Sequence, residues 1–211
     1  MEITPRVAME VAAHEGLVRQ AYKDSVGVWT WSIGLTAATG HDVKRYIDNP
    51  QPLRRCLEVY IWALNNYADA VRAEFKGHAL TEEQFGAALS FHWNTGAIRS
   101  ATWPDMWKEG NLSAARVSFL SWKKPSEIIP RRQAEAALMF DGKWYSDGTM
   151  IEYTRVRSSG IPDWGSAKRI SIANDMKSLL GAPEEPIEQN SEIDILRQKL
   201  AAIKAIVEAE I

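Results

Sequence analysis

The sequence predicts an α+β fold that is mostly helical, with a small lobe formed by a β-hairpin or sheet and a larger helical lobe. Two observations support this prediction. Between residues 20 and 36, β-branched, aromatic and small residues are interrupted by Gly27 and Gly34, which is typical of short strands joined by tight turns. From Val43 onward, apolar residues recur at intervals of three or four, which is typical of helices.

The first helix is predicted from its start signal. Thr4 precedes Pro5, a pair that suits the N-cap and the first position of a helix. The apolar residues that follow predict a helix ending at about His14 or Glu15. For residues 20–36 a short hairpin and a three-stranded sheet are both open.

The helical lobe should begin at about residue 80, after one earlier helix. Thr81 is followed three residues later by Gln84, which is a capping-box signature. Further helices are predicted over 111–122 and 129–140. Cys56, within the earlier helix, is expected to be a small core residue. That helix presents an apolar face made of Leu53, Leu57, Ile61 and Leu64.

The C-terminal part is predicted to contain a small hairpin at 141–148, because turn signals flank Trp144 there, and a helix over 166–180. We therefore expect a domain over 1–180, a Pro/Glu-rich linker over 181–190 and an amphipathic helix over 191–211. The apolar stripe of that helix could dock on the protein itself. It could equally mediate self-association or contact a partner helix.

Composition excludes several classes of function. The net charge of −2 does not indicate a nucleic-acid or membrane partner, and no apolar stretch approaches the roughly 18 residues of a membrane span. No basic and then apolar secretory signal is visible at the N-terminus. The single cysteine excludes an intrachain disulfide and fits a reducing compartment. The four histidines show no ligand spacing, so we expect neither a metal nor a cofactor.

Two carboxylates suggest a chemistry. Glu15 ends an apolar helical run, and apolar surroundings disfavour the charged form of a carboxyl group. Asp24, nine residues later, lies in a polar segment where it should stay ionised. A protonated acid near an ionised carboxylate is the arrangement used in glycoside hydrolysis. Taken alone, the pair would fit two solvated surface acids better than a catalytic pair.

The pattern around the pair is more specific. Glu15 begins a Glu-Gly pair, and eight residues separate it from Asp24. A turn with a glycine and an aromatic residue follows, and then Thr30. This segment resembles the catalytic signature of phage-type lysozymes (endolysins), glycoside hydrolase family 24. Segments 83–96 and 107–138 resemble later helices of that family, so the resemblance covers roughly residues 5–140. Further matches in the signature are Tyr22, Gly27, Trp29 and Gly34.

The resemblance implies a lysozyme-like two-lobed fold and an inverting muramidase that cuts the β-1,4 bond between N-acetylmuramic acid and N-acetylglucosamine in peptidoglycan. By this resemblance, Glu15 protonates the glycosidic oxygen, Asp24 activates or positions the attacking water, and Thr30 holds that water. Arg132, in preference to Arg131, is expected to pair with Glu15. Substrate-binding residues are expected to be Asn94, Arg132 and Trp29.

The resemblance also implies synthesis in a host cytoplasm and action on the cell wall after release through a holin-type pore. Two other functions stay open: a lysozyme-fold module that binds glycan or protein with little turnover, and a lytic transglycosylase. The transglycosylase needs a catalytic glutamate but no aspartate and threonine to position water, so the presence of Asp24 and Thr30 disfavours it.

Departures from the family pattern are concentrated in one strand. Trp31, Ser32 and Leu35 stand where the family usually has Ile, Gly and His, so we expect a strand of different shape near Thr30. His14 could tune Glu15 or serve at the surface or the helix end. Four tryptophans could line a sugar cleft, although core packing is the alternative for each: Trp29, Trp31, Trp93 and Trp103.

Overall fold

The structure is a computed structural model that describes residues 1–181. In this range it contains seven α-helices and one five-stranded sheet. The helices are α1 (Pro5–Ala13), α2 (Leu53–Glu74), α3 (Glu82–Thr95), α4 (Trp103–Lys108), α5 (Leu112–Leu120), α6 (Ile129–Asp141) and α7 (Ala173–Leu180). The strands are β1 (Gly16–Lys23), β2 (Trp29–Ile33), β3 (Leu35–Thr36), β4 (Thr149–Tyr153) and β5 (Ala167–Ser171).

The sheet has the strand order β3-β2-β1-β4-β5. β1, β2 and β3 form an antiparallel meander, which confirms the strands predicted for residues 20–36 and extends the first of them back to Gly16. β4 runs parallel to β1, and β5 returns antiparallel to β4. The segment that resembles the family signature therefore lies on the central strand and its hairpin.

The helical lobe is organised around α3, which packs against α6, α1 and α2. Its capping box forms as predicted, with the Thr81 side chain accepting from the Gln84 backbone and the Gln84 side chain accepting from that of Thr81. Thr4 likewise caps α1 by accepting a hydrogen bond from Val7 N at 3.1 Å. These elements confirm the predicted α+β class. None of the helices within 1–181 is long and apolar enough to cross a membrane.

Two C-terminal predictions are wrong. No hairpin forms over 141–148, because the buried Glu10 carboxylate accepts hydrogen bonds from the backbone N–H groups of Tyr145 and Ser146 and holds this segment as a loop. The predicted helix over 166–180 begins only at Ala173, since residues 167–171 pair with β4 instead. From residue 182 onward, the predicted linker and terminal helix lie outside the described residues and stay predictions.

Two residues that differ from the family pattern, Trp31 of β2 and Leu35 of β3, pack into the hydrophobic core. Trp31 is fully buried, stacks on Tyr46 with ring centroids 3.8 Å apart, and donates its indole N–H to the Arg19 carbonyl at 2.8 Å. Leu35 is also fully buried. Of the four tryptophans considered for a sugar cleft, Trp31 and Trp103 therefore belong to the core, whereas Trp29 and Trp93 are half-buried.

Ser32 occupies a backbone conformation that favours glycine, with φ at 55°. It is fully buried, and its Oγ donates a hydrogen bond to the Cys56 carbonyl of α2 at 3.0 Å. Cys56 is buried, as predicted. This bond joins the sheet to α2 and compensates for the serine side chain in a left-handed position.

Ser32→Ala should destabilise the fold by about 1–2 kcal/mol, since the left-handed conformation stays and a hydrogen bond is lost. Ser32→Gly loses the same bond but relieves the conformation, so its cost should be smaller. Urea unfolding of the two variants and the wild type measures this order. A glycine variant less stable than the alanine variant would contradict the account of this position.

Candidate active site

Glu15 sits at the junction between the first helix and the first strand. α1 ends at Ala13, Glu15 N donates to the Ala12 carbonyl at 3.0 Å, and β1 begins with the next residue. The Glu15 side chain is 22% exposed. Arg131 Nη1 donates to Glu15 Oε1 at 2.6 Å. The prediction that Arg132 pairs with Glu15 is therefore wrong, and its neighbour Arg131 takes that role.

The orientation of α6 about its own axis explains why Arg131, and not Arg132, contacts Glu15. Consecutive residues of a helix point about 100° apart, so Arg131 and Arg132 extend toward different parts of the molecule beyond α6. Arg131 points to Glu15, whereas Arg132 donates to Asn94 Oδ1 at 2.7 Å and to the Trp122 carbonyl at 3.0 Å. Arg132 is only 1% exposed, so it lies behind Asn94.

Glu135 joins the two arginines. It stands four residues after Arg131 and three after Arg132, spacings at which helix side chains meet. Glu135 Oε1 lies 2.8 Å from Arg131 Nε and also accepts from Ser90 Oγ at 2.6 Å, and Oε2 pairs with Arg132. Glu135 lies in the segment 107–138 that resembles the family, but the contact with Ser90 of α3 had no signal in the sequence.

The network holds the permanent positive charge of Arg131 against the Glu15 carboxylate. Burial lowers the pKa of Arg131, but the carboxylates of Glu15 and Glu135 more than offset this effect, and the net shift is upward. Arg131 is 9% exposed by its side chain and Glu135 is 1% exposed. Water therefore screens this ion pair little, and the arginine holds Glu15 in one orientation.

Gly34 allows the β2–β3 turn to approach the Glu15 carboxylate. Its φ is 72°, a conformation that glycine adopts at no steric cost. A Cβ atom on Gly34 would lie 3.6 Å from Glu15 Oε2 and 3.8 Å from Trp93 Nε1. Glu15, Gly34 and Trp93 therefore border one small space, on the side of the carboxylate away from the arginine-bound oxygen.

Asp24 is held by the turn that follows β1. Its Oδ1 accepts hydrogen bonds from Val26 N at 3.0 Å and Val28 N at 2.8 Å, and its own N–H donates to the Val28 carbonyl at 3.0 Å. Both side-chain bonds use the same oxygen. Among residues 1–181, no donor bonds Oδ2. The backbone thus orients the carboxylate and leaves one oxygen for a ligand.

Thr30 lies on β2 directly opposite Tyr22 of β1. It is 3% exposed, and its Oγ1 donates to the Val28 carbonyl at 3.2 Å, which leaves the oxygen lone pairs as acceptors. Burial raises the pKa of Tyr22, and the charges of Glu15 and Asp24 raise it further. Tyr22, near the end of β1, is therefore close enough to Glu15 and Asp24 for both carboxylate charges to act on its hydroxyl group.

The predicted substrate-binding residues lie on different elements, Asn94 on α3, Arg132 on α6 and Trp29 on β2. Asn94, near the end of α3, lines a groove of about 480 Å³ together with Trp122, Lys123 and Lys124. Trp29 is half-buried on β2, with Lys23 Nζ 5.4 Å from its ring centroid.

His14 is the C-cap of α1, which confirms the helix-end interpretation, but it is buried rather than on the surface. It stacks on Tyr145 with ring centroids 4.7 Å apart. Burial, followed by the charges of Arg131 and Arg132, lowers the pKa of His14 to about 3. It is therefore neutral near pH 7 and adds no charge beside Glu15. Within 1–181 no three His, Cys, Asp or Glu side chains cluster as metal ligands.

Comparisons with solved structures show the same fold in bacteriophage and bacterial proteins. The endolysin from Escherichia coli O157:H7 phage FAHEc1 aligns with a TM-score of 0.62 and 20% identity over 69% of this chain and 98% of its own. A mutant of P22 lysozyme aligns with a TM-score of 0.56 and 25% identity, covering 66% and 98%. The muramidase domain of SpmX from Asticaccaulis excentricus gives 0.56 and 21%, covering 66% and 97%. A search of curated protein sequences found no match.

The family comparison adds a match in sequence. The family model described as phage lysozyme matches residues 12–135. This range is more than half of the chain, and it begins just before Glu15 and ends at Glu135, so it encloses the whole network that orients the carboxylate. With its Glu15–Thr30 sequence pattern, its fold and this match in agreement, the chain belongs to the phage lysozyme family.

Proposed function

We propose that the protein is an endolysin-type muramidase that hydrolyses the β-1,4 bond between N-acetylmuramic acid and N-acetylglucosamine in peptidoglycan, with inversion. One observation carries the proposal. Glu15, oriented by Arg131, stands at one end of β1, and Asp24 and Thr30 stand at the other end of the same strand pair. A general acid and a pair of groups that can bind water are the parts that a single displacement by water needs. The structural similarity to an endolysin and to a muramidase domain supports the same assignment.

Glu15 is the general acid in this proposal. Its Oε1 accepts a hydrogen bond from Arg131, which carries a permanent charge, so the transferable proton belongs on Oε2. Oε2 is the oxygen beside Gly34 and Trp93. The proton passes from Oε2 to the glycosidic oxygen as the bond to the anomeric carbon breaks. Arg131 then stabilises the glutamate anion that remains.

Asp24 and Thr30 bind the attacking water. The water donates one hydrogen to Asp24 Oδ2, which is the oxygen without a backbone donor, and the other to Thr30 Oγ1. Its lone pair then points to the anomeric carbon on the face opposite Glu15. Attack forms the new C–O bond, and Asp24 takes up the proton that the water loses.

The glycan strand is held on both sides of this centre. Arg132 occupies Asn94 Oδ1, so the Asn94 amide N–H groups remain for acetamido or hydroxyl oxygens of the sugar. Arg132 thus serves substrate binding through Asn94. Lys123 and Lys124 give this groove positive charge, which suits the carboxylates of peptidoglycan stem peptides. Trp29 offers a partly exposed ring on the hairpin side.

The function is tested by the turbidity of outer-membrane-permeabilised Gram-negative cells and by mass spectrometry of the released muropeptides. The proposal predicts a fall in turbidity and fragments that carry reducing N-acetylmuramic acid. Absence of lysis and of new reducing ends would overturn the proposal that the protein is an enzyme and would favour a glycan- or protein-binding module. Fragments ending in anhydro sugars would overturn hydrolysis and favour a transglycosylase.

Thr30→Val tests the water-binding role with little change in shape. Removal of the hydroxyl should lower kcat by roughly a hundredfold and leave KM nearly unchanged, because the group acts on the water rather than on the sugar. Thr30→Ser, which keeps the hydroxyl, is the matched control and should retain most of the activity. Steady-state hydrolysis of soluble glycan strands measures both variants. Equal kcat values for the valine variant and the wild type would refute the role.

We further propose synthesis in the cytoplasm of a host and action on the wall after release through a holin-type pore, as the resemblance to endolysins implies. Expression in a bacterial host with and without a co-expressed holin tests this route. Lysis that needs the holin supports it, and lysis without the holin contradicts it.

A further inference from the structure

A second hairpin lies beyond the residues that the phage lysozyme model matches. The model ends at residue 135, whereas β4 and β5 cover Thr149–Tyr153 and Ala167–Ser171. The connection between them, residues 154–166, is called the arm below. The arm folds back on itself, with Arg157 N donating to the Ile161 carbonyl at 2.9 Å and Gly160 N donating to the Arg157 carbonyl at 2.8 Å.

The tip of the arm contacts the hairpin that carries Asp24 and Thr30. Lys23 N donates to the Gly160 carbonyl at 2.7 Å. A Cβ atom on Gly160 would lie 3.5 Å from the Lys23 side chain and 3.6 Å from the Trp29 ring. Lys23 directly precedes Asp24, and Trp29 directly precedes Thr30. The arm therefore touches the neighbours of both residues proposed to bind water.

The base of the arm approaches the other catalytic residue. Tyr153, the last residue of β4, packs so closely on Gly16 that a Cβ atom there would lie 2.9 Å from Tyr153 Cε2. Gly16 directly follows Glu15. The arm and its base therefore run alongside β1, from the neighbour of the general acid to the neighbour of the water-binding aspartate.

Trp164 presents an exposed ring on this arm. It is 57% exposed, and it meets Tyr153 edge to face with centroids 4.9 Å apart at 88°. Asp163 stabilises the turn that contains Trp164, since it accepts a hydrogen bond from Gly165 N at 3.3 Å and forms an ion pair with Arg155 at 2.8 Å. A largely exposed aromatic ring on an ordered turn offers a surface on which a sugar ring can stack.

The charges around Trp164 favour an anionic partner. Arg155 and Arg157 both pair with Asp163, yet their side chains remain 70% and 59% exposed. Lys168, on the strand that follows, is exposed as well. Peptidoglycan combines sugar rings with stem-peptide carboxylates, so one polymer matches both the ring and its basic surroundings.

We propose that Trp164 stacks on a sugar of the glycan strand and that the arm forms an additional glycan subsite beside the catalytic residues. The inference rests on the proposed function, because it takes peptidoglycan as the ligand. The position of the arm along β1 places this subsite on the same strand of substrate that reaches Glu15 and Asp24. A stacking ring binds substrate and transition state alike, so it should affect KM and not kcat.

The test compares Trp164→Ala with Trp164→Phe. In a Glu15→Gln background, co-sedimentation with purified insoluble peptidoglycan should show Kd weakened about fivefold to tenfold for the alanine variant, and much less for the phenylalanine variant, which keeps a stacking face. With Glu15 intact, KM on soluble glycan strands should rise by the same factor at unchanged kcat. The control is Leu112→Ala, which removes a 52% exposed side chain from α5 and should change neither value.

The outcomes are distinguishable from failure of the proposed function. Sedimentation needs no turnover, so the subsite is tested even if the wild type does not hydrolyse peptidoglycan. Unchanged Kd and KM for Trp164→Ala would overturn the subsite, and so would equal losses for Leu112→Ala. A fall in kcat at constant KM would also overturn it, because the arm would then act only by supporting Asp24. Thermal unfolding of each variant identifies losses that come from stability.

Discussion

Glu15→Gln is expected to lower the rate of lysis by roughly a thousandfold, the range for loss of a general acid. The glutamine oxygen can still accept the hydrogen bond that Arg131 Nη1 donates to Glu15 Oε1 at 2.6 Å. The amide has no proton to give to a leaving alcohol, however. The variant should therefore keep the shape and binding of the site while losing the chemistry, and initial rates of turbidity loss measure the difference.

A matched control separates the effect of position 15 from the general effect of replacing a glutamate by glutamine. Glu109→Gln makes the same chemical change at an exposed residue that caps α4, and it should leave the rate of lysis unchanged. The account would be contradicted if Glu15→Gln lysed cells within a few-fold of the wild-type rate. Similar melting temperatures for the three proteins would show that the loss is catalytic.

Glu135→Gln should give the largest loss of stability. Glu135 is 1% exposed and is shared by Arg131 and Arg132, whose side chains are 9% and 1% exposed. Removal of its charge leaves two buried guanidinium groups with one remaining carboxylate, that of Glu15. Loss of one partner from a buried ion pair costs about 3–5 kcal/mol in the free energy of unfolding, because the remaining charge is uncompensated.

Urea unfolding measures this cost, and Glu127→Gln is the control. Glu127 is exposed in the turn before α6, so its variant should unfold like the wild type. Activity gives a second readout below the melting temperature. Arg131 loses a partner that fixes its orientation, so kcat should fall along with stability. A Glu135→Gln protein as stable as the wild type would show that the network does not hold α6 against α3.

Local signals explain the part of the fold that could be predicted from sequence. Thr4, the Thr81–Gln84 capping box and the glycine-punctuated strands act over a few residues, so their pattern carries the information. The spacing of Glu15, Asp24 and Thr30 is of the same kind, because the strand and turn between Glu15 and Thr30 fix the position of each side chain.

The choice between Arg131 and Arg132 could not be predicted in this way. The two residues are neighbours of identical chemistry, and only the rotation of α6 against α3 decides which faces Glu15. That rotation depends on long-range contacts such as the one between Ser90 and Glu135. A sequence pattern read within one helix does not contain it.

The C-terminal strands β4 and β5 could not be predicted from the sequence for a similar reason. β4 pairs with β1, whose residues lie more than a hundred positions earlier, and β5 depends on β4. β5 itself is largely exposed, with Ile170 as its partly buried apolar residue, so its pattern does not distinguish a strand from a solvated helix. Likewise, the loop at 142–148 is shaped by Glu10, a residue of the first helix.

The anomeric configuration of the first product tests the mechanism most directly. Proton NMR during the first minutes of hydrolysis of a soluble glycan strand, before mutarotation, reports the new reducing end. Protonation by Glu15 with attack of a water held by Asp24 and Thr30 on the opposite face predicts that the α-anomer appears first. Initial formation of the β-anomer would contradict this account, because it would require a covalent intermediate or attack from the same face.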